Sequence, residues 1–450
     1  MIDYKLSNFN FTFPYPRKAG DQEQTVMYNT RTGSIALIEA DKYEQYRQFA
    51  ENGIPLTDEE LLADLKLGGY VVDGDFDELA AIKYKLLSSR FKSSTLQLTV
   101  APTSNCNFRC VYCYEKDSIK PVTMSEETQS DLVAFVKKYI PTIRHLSIFW
   151  YGGEPLMAFP LIEKLSKSFM QLCEENGVEY SASIVTNGYL LMRQNLEKMK
   201  ALRIRSMQVT LDGDAEDHDK RRFLKGGLPT FDRIIDNLSD GKDLLPESVS
   251  IRINADRHNI DRVDNVIRIL RQKGLEGMVH PYLAMVENNN DAYNDNSCLH
   301  TNEFSKCEFD FITRNRLDIL NRTPCQIGNY CGADAGGSYV VNADGLIYKC
   351  WNEMGIQSCN VGNLKDGVKE CSRLHSYMLY DATEDPECRA CSFLPVCMGG
   401  CPNARLQNPA NRCTAMKHGL DFFMSVIPSI LESQIDAGER EDPRTKNAKG

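Results

Sequence analysis

From Thr95 to Met285 the sequence keeps one rhythm: a short apolar run, a turn, an amphipathic stretch, then another apolar run. Residues 96–101, 146–151, 180–186, 206–211, 249–255 and 278–285 read as strands, because they are short, apolar and bounded by turn residues. Residues 125–139, 161–176, 194–201, 231–238 and 261–273 carry apolar side chains at helical spacing. Ser125, followed by Glu126 and Glu127, places a cap and negative charge at the start of the first helix. Strands separated by helices pair in parallel, so six such units predict an α/β fold, a partial (β/α)6 TIM-like barrel. Its functional residues belong at the C-terminal ends of the strands.

Cys106, Cys110 and Cys113 stand just after the first of these strands. The spacing C-x3-C-x2-C supplies three thiolates. A cubane [4Fe–4S] group that only carries electrons is held by four, so a triplet leaves one iron open to another ligand. A single zinc ion is the competing reading, but structural zinc closes with four ligands and no fourth Cys or His stands at an ordinary spacing. The second strand runs into Trp150-Tyr151-Gly152-Gly153-Glu154-Pro155. Two glycines there allow close backbone approach, and Glu154 with exposed backbone groups can receive an ammonium. The third strand ends in Thr186-Asn187-Gly188 and the fourth in Thr210-Leu211-Asp212-Gly213, followed by His218, Asp219, Arg221 and Arg222. Taken singly, Asn-Gly and Asp-Gly are ordinary turns.

Together these segments resemble the radical S-adenosylmethionine (SAM) enzymes: the triplet with Tyr112 before its last cysteine, the GGEP segment one unit later, and a segment similar to the family's SLDG with a following arginine. The resemblance implies that the amino and carboxylate groups of SAM chelate the open iron and that reduction cleaves SAM to a 5′-deoxyadenosyl radical. It further implies that Tyr112, Gly152, Gly153, Glu154, Thr210 and Arg222 bind the cofactor, Thr210 keeping the hydroxyl of the family's serine. Arg252 and Asn254 on the fifth strand and Leu283 on the sixth join them by strand position alone. No catalytic side chain is nominated.

The C-terminal third has its own pattern: Cys331, Gly345 after thirteen residues, Cys350 after four more, then Cys388-x2-Cys391-x5-Cys397-x3-Cys401 and Cys413. It resembles the seven-cysteine SPASM domain, and Cys325 adds an eighth thiolate. The resemblance implies two auxiliary [4Fe–4S] clusters, one held by Cys325, Cys331, Cys350 and Cys401, the other by Cys388, Cys391, Cys397 and Cys413, making three with the triplet's. Paired zinc knuckles are the alternative that spacing alone leaves open. Cys173, in an amphipathic helix, is expected in the core, and Cys298, Cys307, Cys359 and Cys371 receive no role.

Sixteen cysteines without an export signal suit metal or redox chemistry better than disulfides. The net charge of −10 disfavours nucleic acid, and no apolar run reaches the ~18 residues of a membrane span, so a soluble, cytoplasmic protein with neither partner is expected. Four segments follow: a small α+β, winged-helix-like peptide-recognition module (1–94), the radical SAM barrel (95–310), a cysteine-rich SPASM domain (311–436) and a solvated tail (437–450). In the first, 24–28 and 34–38 flank Thr32-Gly33 as a hairpin, helices are expected near 41–51, 58–67 and 76–91, and 68–72 is a candidate wing.

SPASM-type enzymes modify peptides and proteins. In the sulfatase-maturing branch an aspartate follows the cysteine corresponding to Cys350 and serves as general base; here Trp351 follows, and an indole accepts no proton. The resemblance therefore implies a maturase of a ribosomally synthesised precursor peptide with a leader sequence, forming a thioether or other crosslink, with flavodoxin or ferredoxin as electron donor. A formylglycine-generating sulfatase maturase and a noncatalytic electron carrier or redox sensor are the alternatives.

Overall fold

The computed structural model describes residues 3–15, 24–92, 94–115, 122–291, 293–317, 324–407, 409 and 412–436; the tail expected at 437–450 lies outside them. Four strands open the chain: β1 (Tyr4–Leu6), β2 (Asn10–Tyr15), β3 (Gln24–Asn29) and β4 (Ser34–Glu39). The last three form an antiparallel sheet in the order β2-β3-β4. Gly33 closes the expected hairpin at φ +75°, its N–H donating to the Asn29 carbonyl. Helices α1 (Ala40–Asn52) and α2 (Glu59–Leu67) follow, the second capped by the Asp58 carboxylate on Leu61 N at 3.0 Å. Strand β5 (Val71–Asp73) pairs with β1, and α3 (Glu78–Arg90) ends the segment. Met27, Ile38, Tyr46, Phe49, Leu61 and Leu65 make a small core here, while Val26 and Tyr28, on the other face of β3, join the main core. This sheet is thus anchored on both faces.

The expected strand–helix units are present: β6 (Thr95–Val100), α4 (Glu126–Tyr139), β7 (His145–Trp150), α5 (Phe159–Asn176), β8 (Glu179–Thr186), α6 (Arg193–Ala201), β9 (Ile204–Thr210), α7 (Ala215–Arg221), α8 (Phe231–Asp240), β10 (Ser248–Ala255), α9 (Asp264–Gln272) and β11 (His280–Met285). The strands pair in parallel and in chain order from β6 to β11. Their two faces differ. Leu146, Ile148 and Trp150 of β7, with Tyr180, Ala182 and Ile184 of β8, are buried against helix residues such as Leu132, Phe135, Ile162 and Phe169. The intervening Ser147, Phe149, Ser181, Ser183, Ser250 and Arg252 are half-buried. A closed barrel of eight strands fills its interior with packed side chains. Six strands leave a partly accessible, polar inner face, consistent with a partial barrel.

The sheet continues where the strand–helix rhythm stops. After α10 (Thr301–Asn315), β12 (Ser338–Val341) pairs in parallel with the free edge of β6, and β13 (Leu346–Tyr348), β14 (Gly362–Asn363) and β15 (Gly367–Val368) add antiparallel strands to it. Ten strands therefore form one sheet across the expected boundary at 310. The short helices α11 (Ser372–Met378), α12 (Pro386–Arg389), α13 (Leu394–Cys397) and α14 (Pro402–Gln407) follow, Cys388 lying in α12 and Cys397 in α13, and α15 (Met416–Asp436) lies along α10. Among the described residues no helix is long and apolar enough to cross a membrane.

Candidate functional site

The Cys106–Cys113 loop leaves the C-terminal end of β6 and is tied to the end of β7 by backbone. Gly153 N donates to Thr103 O at 3.2 Å and Glu154 N to Asn105 O at 2.9 Å. A Cβ on Gly153 would lie 2.3 Å from the Asn105 carbonyl oxygen, and one on Gly152 (φ +111°) 2.6 Å from that of Thr103. Both glycines are thus required by the cysteine loop itself, in addition to any ligand. Glu154 is fully buried and accepts from Thr186 Oγ1 (2.7 Å), Asn187 N (2.7 Å) and Leu156 N (3.0 Å), so its carboxylate binds the ends of β7 and β8 together. Three of its roughly four acceptor positions are taken internally.

The three thiols are neighbours. Burial raises Cys106, helped by the Glu154 charge and then by Cys110 and Cys113. Burial and Cys110 push Cys113 up to about 12, while burial raises Cys110 and the Arg222 guanidinium opposes it. Behind them lies a buried polar network that joins the ends of four strands. Tyr112 donates to Asp212 and accepts from Arg222 Nη1 and Asn254 Nδ2, both at 2.9 Å. Arg221 bridges Asp212 (3.2 Å) and Asp256 (2.6 Å), and Tyr293 donates to Asp256 at 2.7 Å. His218 and Asp219 are scaffolding. Burial holds His218 well below its usual pKa; neutral, it accepts from Asp212 N at 3.2 Å, while Asp219 receives the N–H groups of Thr230 and Phe231 at the start of α8. Thr210 and Leu283 are buried, and the Arg252 guanidinium donates to Asn254 Oδ1 at 2.7 Å.

Two buried atoms of this network have no partner: Arg222 Nε, a donor, and Asp212 Oδ1, an acceptor. A carboxylate and an ammonium on one ligand would satisfy them, which fits the amino-acid end of SAM. Among the described residues no three His, Cys, Asp or Glu side chains converge as a single metal ion requires. A cubane instead spreads its thiolates over separate irons, and three adjoining, partly buried thiols beside a guanidinium fit it.

Several of the C-terminal thiols feel one another's charge. Cys331 is pushed up to about 11 by burial, with Asp334 and Cys401 adding to it, and Cys350 is raised by burial and then by Glu353, Cys331 and Cys401. Cys397 is pushed up to about 11 by burial, then by Cys413, Cys388 and Cys391. Cys325 stands apart from these neighbours. It is exposed and its charge is felt by Tyr28, whose hydroxyl donates to the neighbouring Pro324 carbonyl at 2.6 Å. Cys173 is buried in the core, as expected.

Residues 100–295 match the radical SAM superfamily. The chain carries a radical SAM domain. It is 24% identical over 348 residues to a cysteine-type anaerobic sulfatase-maturating enzyme of Clostridium perfringens, an alignment covering 69% of this chain and 90% of that one. Among solved structures the fold is similar to native anSMEcpe with bound AdoMet and the Cp18Cys peptide, with a TM-score of 0.59 and 21% identity over 76% of this chain and 99% of that one. It is similar as well to Streptococcus suis SuiB bound to precursor peptide SuiA, with a TM-score of 0.53 and 14% identity over 92% of this chain and 99% of that one. The radical SAM domain brings SAM and iron–sulfur chemistry to this enzyme, and the triplet, the glycine pair and the arginine all lie within the matched residues. Asn254 was nominated by its strand position alone, while Asp256 and Tyr293 escaped the sequence reading because no local pattern links them to Tyr112. The Asn-x-Asp at the end of the fifth strand was the one available signal, since polar residues at that depth need partners.

Proposed function

We propose that this radical SAM enzyme matures a ribosomally synthesised precursor peptide, joining two of its residues through a thioether or another crosslink. In this reading Cys106, Cys110 and Cys113 hold a [4Fe–4S] group with an open iron. Cys325, Cys331, Cys350 and Cys401 hold a second cluster, and Cys388, Cys391, Cys397 and Cys413 a third, Cys325 and Cys331 being the exposed members. SAM bound at the open iron supplies, after one-electron reduction, the radical that removes a hydrogen atom from the peptide. Arg222 and Thr210 hold the carboxylate end of SAM, Tyr112 fixes Arg222 and Asp212 in place, and Asp212 Oδ1 with backbone groups around Gly152 and Gly153 meets the ammonium. Ser147, Ser181, Ser183 and Arg252 line the space for the peptide.

The observation that carries the choice of substrate is Trp351. It follows Cys350 where the sulfatase-maturing branch carries its basic aspartate, and its indole stacks on Tyr151 with ring centroids 5.9 Å apart. The N-terminal module supports the same reading. Strand β4 is one of the two edges of its sheet, so its outward main-chain groups suit a leader peptide added as a fourth strand, with the module in the role of a winged-helix-like recognition domain. A flavodoxin or ferredoxin supplies the electron. Protein oxidation to formylglycine is the second reading, favoured by the likeness to the sulfatase-maturating enzyme.

Anaerobic coexpression with a candidate precursor, followed by tandem mass spectrometry, tests the choice. A crosslink removes two hydrogen atoms, blocks fragmentation between the joined residues and leaves nothing for a hydrazine to trap. A product that reacts with a hydrazine as an aldehyde refutes the crosslink reading in favour of formylglycine.

A further inference from the structure

Tyr114, Tyr151 and Trp351 take no part in holding SAM or a cluster, yet they are arranged end to end. Tyr114 is bonded to Cys113. Its hydroxyl lies 2.7 Å from that of Tyr151, and the Tyr151 ring stacks on Trp351 at 5.9 Å and 25°. Trp351 is in turn bonded to Cys350. Core packing does not account for the arrangement, since Trp351 remains 45% exposed and the two tyrosines meet through polar tips rather than ring faces. The path from one cysteine to the other is interrupted only by one hydrogen bond and one ring stack.

We propose that Tyr114, Tyr151 and Trp351 are an electron bridge between the cluster at Cys113 and the cluster at Cys350. The inference rests on the reading that both cysteines are cluster ligands. Electrons tunnel through bonded and packed atoms much faster than across solvent, and this chain of rings supplies such atoms between the two cysteines. The transfer is of one electron from the reduced [4Fe–4S] group at Cys350 to the oxidised one at Cys113. No bond is made or broken, no proton moves, and the rings themselves are neither oxidised nor reduced. The electron is the one released when the hydrogen-stripped peptide radical is oxidised to its closed-shell product, so the bridge returns it for another turnover.

The test needs neither SAM nor peptide. The full chain, reconstituted anaerobically with iron and sulfide, is photoreduced by a deazaflavin flash with less than one electron per chain, frozen at intervals, and the reduced clusters are counted by electron paramagnetic resonance. The bridge predicts that Tyr151→Leu and Trp351→Leu slow the exchange of the electron between the two clusters by an order of magnitude or more, with iron content and final distribution unchanged. Tyr151→Phe, which keeps the stack and loses the hydroxyl link, falls between, and it decides the matter if Tyr151→Leu loses iron. Exchange as fast in all variants as in the parent overturns the bridge and leaves the three-cluster reading intact. A parent protein holding about four iron atoms per chain, with one cluster signal, overturns both.

Discussion

Gly153 has no side chain because the carbonyl of Asn105 occupies the place where one would be. The obstacle at 2.3 Å is backbone, which cannot swing aside as a flexible side chain does. Gly153→Ala therefore displaces the loop that carries Cys106, at a cost of about 1–3 kcal/mol. The expected result is iron content lowered by about four atoms per chain with the far-ultraviolet circular dichroism unchanged. Gly226→Ala, where nothing lies within 4 Å of the added methyl, leaves both unchanged. Arg221 is the counterpart in the polar network. Asp212 and Asp256 are wholly buried, and Arg221→Leu leaves two carboxylates without their cation. Breaking a buried pair costs about 3–5 kcal/mol, to be seen as a lowered thermal midpoint. At this scale the sequence exposed the residues whose identity is dictated locally: cysteines at fixed spacing, glycines at a strand end, an arginine after a turn. It concealed their partners. Asp256 and Tyr293 reach the network from other parts of the chain, and Glu154 proved a fastening between strands because Thr186 and Asn187 meet it only in the folded sheet.

Elements with long periodic patterns were legible in the sequence. The six parallel strands and their larger helices appear within about three residues of their expected limits, since each buries one whole face against the other layer. The elements that escaped are short or take their pairing from afar. Strands β1 and β5 have three residues each, too few to display alternation, and β12 is separated from α10 by a long cysteine-bearing stretch, so the rhythm that announces the other strands is missing. Strand β12 is nevertheless what attaches the cysteine-rich segment to the barrel. Gln97 N donates to Gly337 O and Ala101 N to Val341 O, each at 2.8 Å, and a Cβ at Gly337 would lie 2.3 Å from the Thr95 carbonyl. Gly337→Val is expected to part β12 from β6 and expose the linkage around residue 337 to protease. Limited proteolysis followed by mass spectrometry reads this as new cleavage there, with residues 95–285 retained as a resistant fragment.

Across the whole molecule, one ten-stranded sheet runs from the last barrel strand into the C-terminal hairpins, and the Cys331, Cys350 and Cys401 group sits beside its far end. The triplet, the polar network, Cys331 and Cys350 thus stand at the ends of strands of one sheet or beside them. Cofactor class and reaction type were legible because metal ligation and strand ends leave patterns in the chain. The identity of the peptide was not, because the inner face that would receive it is lined by serines, an arginine and a phenylalanine contributed one or two at a time by separate strands. All of this depends on whether the triplet activates SAM. The direct measurement is chromatographic detection of 5′-deoxyadenosine after the anaerobically reconstituted chain is mixed with SAM and a strong reductant. The account predicts its formation by the parent protein and its loss in Cys106→Ala. A parent protein with an intact, reducible cluster that yields no 5′-deoxyadenosine would contradict it.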